Sequence, residues 1–494
     1  MPKSDETQEP PFSSDWTKSA YASSIGETAS SGQSLSAPTR GGVIWPVTLA
    51  LLAIEASGGL ALLALFKKGD QTFPAFLPTS AGFASVVAIA VLMGAIGYLF
   101  KVYSKTKLTG RREFHLTVVM NLMTVLVATV SAECAIRILA TETREGPAIN
   151  GMLLLPRSWN QVSSHYQRLV ERAEGDLSYQ IYDPYLGWRI GPSRRSANGL
   201  YFSDDQGIRA AKAGVHSDAS EGKRLIAVLG DSFAFGEEVA YGDTWPVQLE
   251  RLMGPEFKVM NFGVPGYGVD QIFLRYVREV VALKPDVLIF SFITHDLLRS
   301  MMVYSFLSLP EWDMPFSKPR LILSDETLQP LNVPTIPPSE IFAKAQIFDL
   351  PYLVHDSGYA PLQWQSEFYQ RSYLVRFLLS RFPRWPQPNL NETDDAILSL
   401  NKQILRSFID KARGEGSTAV LVYLPTSEDF RGHDRRVSLG MRLLQATGIQ
   451  YADPTFCLAK VPSTERFVGS TGHYSPSGNK AVAECLFEQL RGIT

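Results

Sequence analysis

The sequence has little cysteine and little charge. Three cysteines occur among 494 residues, and their spacing matches no metal-binding motif. The 47 Lys and Arg nearly balance the 49 Asp and Glu, giving a net charge of −2, so the chain lacks the basic excess typical of nucleic-acid binding. The charged fraction is 19%, below the roughly 25% of soluble domains. We therefore expect no metal, no other cofactor and no nucleic-acid partner.

Three long apolar runs account for much of the missing charge. Residues 43–66 contain one charged side chain, Glu55, residues 81–100 contain none, and residues 116–139 contain Glu133 and Arg137 near their end. Each run has the length of about 20 residues that a helix needs to cross a bilayer. Buried core helices are the alternative. Three such runs so close together favour three transmembrane helices within residues 41–140.

The flanking charges predict the orientation of these helices. Residues 1–40 are rich in Ser, Thr, Pro and acidic residues, a composition typical of a disordered tail. The loop at 101–115 carries five Lys and Arg, against Lys67 and Lys68 after the first run. Positively charged loops stay in the cytoplasm. We therefore expect a multi-pass inner-membrane protein with a cytoplasmic tail and with the chain after residue 140 on the external, periplasmic side.

Glu55 lies in the middle of the first predicted span. A charge at that depth is costly, so an intramembrane carboxylate is a candidate functional group. The alternative is a protonated Glu, or one paired with a group on a neighbouring helix.

From residue 223 onward, apolar strands alternate with amphipathic helices. The predicted strands are "RLIAVLG", "KVMNFG", "PDVLIFSFI" and "STAVLVYLP", and the predicted helices include "TWPVQLERLM", "DQIFLRYVREVVALK" and "SPSGNKAVAECLFEQL". This alternation predicts an α/β fold with a doubly wound, flavodoxin-like parallel sheet over residues 223–494. In such sheets ligands bind beyond the carboxyl ends of the strands.

Two segments fall outside this pattern. Residues 141–222 form a polar lead-in, in which "YDPYLGWRIGPS" is typical of turns pinned to a surface. Residues 300–395 are rich in aromatics and prolines and form a predicted insertion over one edge of the sheet. The insertion is either a lid or acceptor-binding surface, or a packed decoration without contact to substrate.

Four residues that suit acyl-transfer chemistry follow the predicted strands or precede the last helix. They are Ser232, Gly266, His295 and His473. A serine needs a base to become a nucleophile, and histidine suits that task. The resulting oxyanion needs donors, which the N–H groups of Ser232 and Gly266 and the side chain of His295 can supply. The alternatives are that Ser232 only caps a helix and that His473 is a surface residue.

Residues 180–494 resemble the SGNH/GDSL hydrolases, in particular a bacterial, membrane-anchored branch. The block "GDSF" resembles the nucleophile block with Ser232, "NFGVPGYGVDQ" the block with the oxyanion-hole glycine at Gly266, and "GHYSPSGNKAVAE" the block with the base at His473. The resemblance implies the SGNH fold and ester chemistry on small acyl groups, often acetyl, of carbohydrates or lipids.

The sequence departs from this family at two places. The third block has His295-Asp296 where the family usually has Asn-Asp, and a neutral His still donates through one ring nitrogen. The family's acid normally stands two or three residues before the histidine, where this chain has Ser470 and Thr471. We therefore expect a Ser232–His473 dyad, with Asp231 and Asp296 as candidate substitute acids.

Two functional hypotheses follow. The first is a membrane-anchored serine esterase or O-acyltransferase that acts on acyl groups of an envelope polysaccharide or lipid. The second is a catalytically inactive SGNH domain that binds a glycan or a protein.

Cys134 falls in the third apolar run, whereas Cys457 and Cys485 would lie in an oxidising space where a disulfide is feasible.

Overall fold

A computed structural model describes residues 96–105, 108–175, 178–216, 222–382, 393–431, 438–469 and 472–491, together with single positions at 48 and 94. The predicted tail, the first predicted span with Glu55 and most of the second lie outside the described residues. Ser470 and Thr471 lie outside them as well.

A five-stranded parallel sheet forms the centre of the fold. Its strands are β1 (Arg224–Leu229), β2 (Phe257–Asn261), β3 (Val287–Phe292), β4 (Thr418–Tyr423) and β5 (Tyr451–Ala452), in the spatial order β5-β4-β3-β1-β2. Ile226 of β1 lies between Val259 of β2 and Val287 of β3. The order is that of flavodoxin-like sheets, in which the direction of winding changes between β1 and β3. The predicted α/β fold with a doubly wound parallel sheet is confirmed. Of the three predicted membrane spans, the described residues contain one helix long and apolar enough to cross a membrane. The two-residue β5 is a strand that the sequence pattern did not predict.

Helices cover both faces of this sheet, because alternate strand residues point to opposite sides. Leu225, Ala227 and Leu229 belong to one core cluster, while Ile226 and Val228 belong to the other. The helices within the described ranges are α1 (Leu108–Leu139), α2 (Trp159–Gly175), α3 (Ser232–Phe235), α4 (Trp245–Met253), α5 (Val269–Arg275), α6 (Thr294–Arg299), α7 (Ser305–Ser308), α8 (Pro338–Phe342), α9 (Tyr373–Arg381), α10 (Asp394–Gly414), α11 (Leu439–Thr447), α12 (Thr455–Lys460) and α13 (Pro476–Leu490).

The two helical layers have different members. Helices α5, α10 and α11 pack on the face of Leu225, and helices α4 and α13 pack together on the face of Ile226. The predicted helix "DQIFLRYVREVVALK" changes form along its length, since α5 continues as a π-turn at Tyr276–Val280 and a 3-10 turn at Val281–Leu283.

Helix α1 contains the third predicted span. Its segment Arg111–Leu139 is 29 residues long and apolar enough to cross a membrane, and none of its most apolar window is buried. Glu133, near the end of α1, accepts hydrogen bonds from the Ser372 hydroxyl and from the N–H groups of Tyr373 and Leu374. The first turn of α9 is therefore fixed to the end of α1.

The lead-in is more ordered than its composition suggests. Its strands are Thr141–Thr143, Gly146–Ile149, Met152–Leu153, Gln180–Asp183, Gly187–Ile190, Phe202–Ser203 and Arg209–Ala210, all paired antiparallel. Trp188 is fully buried beside the sheet's own core residues. The expectation of turns lying on a surface is wrong for this segment, because the Trp188 side chain enters the core.

The insertion packs against the lead-in. Trp159 and Tyr166 of α2 contact Phe306 and Phe342 in one aromatic cluster. The insertion also contains the hairpin Arg320–Ser324 and Thr327–Leu331. Lead-in and insertion therefore form one packed layer beside the sheet.

Candidate active site

The turn after β1 presents Ser232 as the first residue of α3. The helix cap is Asp231, whose carboxylate accepts a hydrogen bond from the N–H of Phe233 at 2.9 Å. Ser232 does not cap the helix, so its hydroxyl is available for other contacts. The side chain is 3% exposed.

Close packing around two glycines fixes this turn. A Cβ atom on Gly230 would lie 2.6 Å from the Cβ of Ala234, and one on Gly263 would lie 2.8 Å from the carbonyl carbon of Ala234. Real Cβ atoms do not approach so closely, and glycine is the residue that permits close backbone approach. The turn after β2 therefore packs directly on the helix that begins at Ser232.

The structure brings Ser232 and His473 together across 241 residues of sequence. The Nε2 atom of His473 lies 2.9 Å from the Oγ atom of Ser232, which is hydrogen-bond distance. Because Nε2 contacts the hydroxyl, the neutral ring that accepts the serine proton carries its own proton on Nδ1. This is the geometry that a nucleophile and its base require.

The segment around His473 is fixed at both ends. Tyr474 is buried and donates a hydrogen bond to the carbonyl of Pro425 at 2.7 Å. Ser475 caps α13 by accepting from the N–H of Gly478. A disulfide joins Cys457 of α12 to Cys485 of α13, so the pairing that the sequence left open is formed. The chain between these cysteines includes His473.

Two carboxylates that the sequence reasoning missed lie beside His473. Glu238 Oε2 is 3.6 Å from Nδ1, and Glu237 Oε2 is 3.5 Å from Nε2. Burial raises the pKa of Glu237, and the neighbouring His473 opposes that rise. Both glutamates follow the nucleophile by five and six positions in "GDSFAFGEEV". This acidic pair, so close to the serine, is the sequence signal for a carboxylate beside His473.

The two aspartates considered as substitute acids both pair with Arg299. Its Nη1 atom lies 2.6 Å from Asp296 Oδ1 and 3.4 Å from Asp231 Oδ2. Both aspartates are fully buried. Burial raises the pKa of Asp296 well above its usual range, and the Asp231 carboxylate raises it further, against the effect of Arg299. These contacts join the turn after β1 to α6, and Asp231 Oδ2 also accepts a hydrogen bond from the Ser232 hydroxyl at 3.4 Å.

Gly266 lies in a left-handed turn, with φ +86°. A Cβ atom there would lie 3.2 Å from the ring of Trp312 and 3.3 Å from that of Trp188. Within the described part of the chain, the N–H groups of Gly266 and of Ser232 donate to no acceptor. Trp312 lines the cleft at Ser232 and Gly266 is not among the lining residues, so the oxyanion role of Gly266 stays a prediction.

His295 lines the same cleft as Ser232 and His473. It is the second residue of α6, and its Nε2 atom lies 3.9 Å from a carboxylate oxygen of Glu428. Burial and the guanidinium of Arg299 lower the pKa of His295, in that order. The neutral ring is therefore favoured, and a neutral ring keeps one N–H to donate.

The cleft has a volume of about 330 Å³, at the small end of ligand sites. Insertion residues contribute part of its wall, and Trp312 stacks on Arg299 with the guanidinium carbon 5.0 Å from the ring centroid. The insertion therefore borders the cleft at Ser232. The described residues contain no group of three His, Cys, Asp or Glu that could hold a metal. The residues that line the cleft are Ser232, Phe233, Ile293, His295, Leu298, Arg299, Met302, Ser308, Leu309, Glu311, Trp312, Thr426, Ser427, Glu428, Gly472 and His473.

Fold and site together define a class: a flavodoxin-like α/β domain with a serine–histidine pair at the carboxyl edge of its sheet, next to the point where the winding changes. No protein-family model and no curated protein matches the chain.

Several solved structures are similar to this chain over about half of its length. A lipase/acylhydrolase from Enterococcus faecalis is 14% identical, covers 55% of this chain and 96% of its own, and has a TM-score of 0.29. A catalytic mutant of an acetylxylan esterase from Geobacillus stearothermophilus is also 14% identical, with 55% and 94% covered and a TM-score of 0.29. A member of the lipolytic G-D-S-L family from Veillonella parvula is 13% identical, with 54% and 97% covered and a TM-score of 0.27. Similarity at identities and TM-scores this low does not establish a function, so the function has to be inferred from the site.

Proposed function

We propose that this chain is a membrane-anchored serine esterase or O-acyltransferase of the SGNH type. The observation that carries the proposal is the 2.9 Å contact between Ser232 Oγ and His473 Nε2. Its place at the carboxyl edge of a doubly wound sheet, where such folds bind ligands, supports the same function.

The chemistry is a two-step acyl transfer. Ser232 Oγ attacks the acyl carbon of an ester while its proton passes to His473 Nε2. The leaving alkoxide takes that proton, and the acyl group stays on Ser232. Water or a sugar hydroxyl then gives its proton to Nε2 and attacks the acyl-serine. The bond between the acyl carbon and Oγ breaks, and Nε2 returns the proton to Oγ, which restores Ser232 and His473. The N–H groups of Ser232 and Gly266 and the ring of His295 stabilise the oxyanion in both steps.

The cleft supports a small acyl group, such as acetyl, on a larger polar molecule. Its volume of about 330 Å³ is at the small end of ligand sites and suits a small acyl group. Glu311, Glu428 and Trp312 line the cleft and provide polar and aromatic contacts suited to a carbohydrate. We infer that the substrate is an acylated polysaccharide or lipid of the cell envelope.

Three observations support a location on the external side of the inner membrane. Helix α1 is long enough to span a bilayer, and the five Lys and Arg of residues 101–115 lie just before this helix and at its start. The Cys457–Cys485 disulfide is typical of oxidising compartments. Protease added to intact spheroplasts should digest the domain after residue 140, and protection of that domain would reverse this orientation.

The alternative is an inactive SGNH domain that binds a glycan or protein. The missing acid at 470 and 471 and the His at 295 favour it, whereas the Ser232–His473 contact favours the enzyme.

A fluorophosphonate probe separates the two functions. Membranes that contain the wild-type protein should label at Ser232, and Ser232→Ala should abolish the labelling. Absence of labelling in folded wild-type protein would leave only the binding module.

A further inference from the structure

We propose that Glu238 supplies the carboxylate that the sequence lacks before His473, and that it positions the imidazole through Nδ1. The inference rests on the proposed function. With Glu238, the Ser232–His473 pair becomes a triad whose acid comes from the turn after the nucleophile.

The two ring nitrogens of His473 face different partners. Nε2 contacts Ser232 Oγ at 2.9 Å, so an acid that orients the ring has to lie at Nδ1. Glu238 Oε2 is 3.6 Å from Nδ1. Glu237 lies at Nε2, on the side of the serine, and therefore does not have the geometry of an orienting acid.

The distance of 3.6 Å is long for a hydrogen bond and within the range of an ion pair. In enzymes without substrate, catalytic hydrogen bonds are often long and shorten in the complex. When Ser232 gives its proton to Nε2, the ring becomes an imidazolium whose Nδ1–H faces the Glu238 carboxylate. Glu238 accepts that hydrogen bond and does not take the proton.

The backbone at Glu238 is held in an unusual conformation. Its φ is +70°, a left-handed value that costs a non-glycine residue about 1 kcal/mol or more. Its N–H donates to the Tyr201 hydroxyl at 2.8 Å, and Tyr201 packs edge-on against Phe235 of α3. The lead-in thus fixes a strained glutamate beside the base, and strained residues persist where surrounding contacts hold them, often at functional sites.

The charged groups that face His473 come from two sides. Glu237 and Glu238 belong to the turn after α3, while His295, Arg299 and Glu428 line the same cleft as His473. Of the two glutamates, Glu238 is the one whose carboxylate faces Nδ1.

The test compares three variants of the full-length protein in membranes. Glu238→Gln removes the charge, Glu238→Gly removes the side chain and relieves the left-handed strain, and Glu484→Gln changes an exposed glutamate on α13 as the control. Hydrolysis of p-nitrophenyl acetate gives kcat and KM. The rate of fluorophosphonate labelling against pH gives the reactivity of Ser232 without a natural substrate.

We expect Glu238→Gln to lower kcat by at least about 10-fold with little change in KM; loss of the acid in a triad protease costs about 10⁴. The acid limb of the labelling profile should move to lower pH, because the imidazolium loses a stabilising carboxylate. Glu238→Gly should lose the same activity while its melting temperature is equal or higher, and Glu484→Gln should behave as wild type.

Two results would overturn the inference, and they are distinguishable. If wild type labels at Ser232 but Glu238→Gln keeps the same kcat and the same acid limb, Glu238 has no positioning role and the enzyme stands as a dyad. If wild type neither labels nor hydrolyses the ester, the proposed function fails, and the role of Glu238 fails with it.

Discussion

Arg299 on α6 lies 3.4 Å from Asp231, the residue that caps the helix of Ser232. The same guanidinium lies 2.6 Å from Asp296, so one cation serves two fully buried carboxylates. Through this contact the end of β3 is tied to the nucleophile turn at the end of β1. The arrangement explains why neither aspartate is the partner of His473 that the sequence suggested.

The first prediction concerns Arg299→Leu. The change leaves two buried carboxylates without their cation, and breaking a buried pair in this way costs about 3–5 kcal/mol. Denaturant unfolding at neutral pH measures this loss. The control is Arg442→Leu, which removes a more exposed ion pair with Asp394 and should cost about 1 kcal/mol or less.

The cost of Arg299→Leu should depend on pH. The pKa of Asp296 is already raised by burial and by Asp231, and Arg299 opposes that rise, so its removal raises the pKa further. A carboxyl whose pKa is higher in the folded state loses stability as the pH rises through that pKa. The cost should therefore be smaller at pH 5.5 than at pH 8, and an equal cost at both would contradict this account.

The second prediction concerns the pair Ser232 and His473. If the two act as one unit, either single alanine variant removes most of the activity, by about 10³-fold or more, and the double variant is no worse than the singles. Ester hydrolysis by purified protein gives the three rate constants. Losses that multiply in the double variant would mean that the two residues act independently.

The third prediction tests the oxyanion role of Gly266. An alanine at φ +86° is strained, and its Cβ would press on Trp312 and Trp188, which moves the backbone N–H. Loss of one oxyanion donor costs about 10²–10³ in kcat. Gly254→Ala is the matched control, since Gly254 has φ +92° with open space around it. Gly254→Ala should show similar strain and full activity. A fully active Gly266→Ala would mean that Gly266 does not donate to the oxyanion.

The fourth prediction concerns His295→Asn. An Asn donates from its amide, so activity should be kept or raised if His295 holds the oxyanion. His295→Ala should lose activity by about 10²-fold, and His216→Asn, at an exposed ion pair with Asp205, serves as the surface control. A loss of activity in His295→Asn would assign His295 another role, such as contact with the substrate through Glu428.

The sequence predicted the residues whose positions follow from the order of strands and helices. It missed the residues whose roles depend on where a long side chain points in the folded protein. Continuous apolar strands that alternate with amphipathic helices predicted the sheet. Ser232 after the first strand and His473 before the last helix were predicted to meet at one edge, where the structure brings them together. The roles of Glu238 and Arg299 could not be predicted, because nothing in their spacing shows where a flexible side chain points. The burial of Trp188 could not be predicted, because a short Pro- and Gly-containing segment is typical of surface turns. Tertiary packing overrides that tendency here.

The last prediction concerns the Cys457–Cys485 disulfide. It closes a segment with a sequence separation of 28, and a chain-entropy estimate for such a loop is about 3–4 kcal/mol. Because the closed segment includes His473, reduction should lower both the melting temperature and the labelling of Ser232. Cys457→Ala should have the lower melting temperature without reductant and show no further change with it. Cys134→Ala, at the exposed free cysteine on α1, is the control and should respond to reductant as wild type does. A wild-type protein that reductant leaves unchanged would mean that the bridge does not hold the base in position.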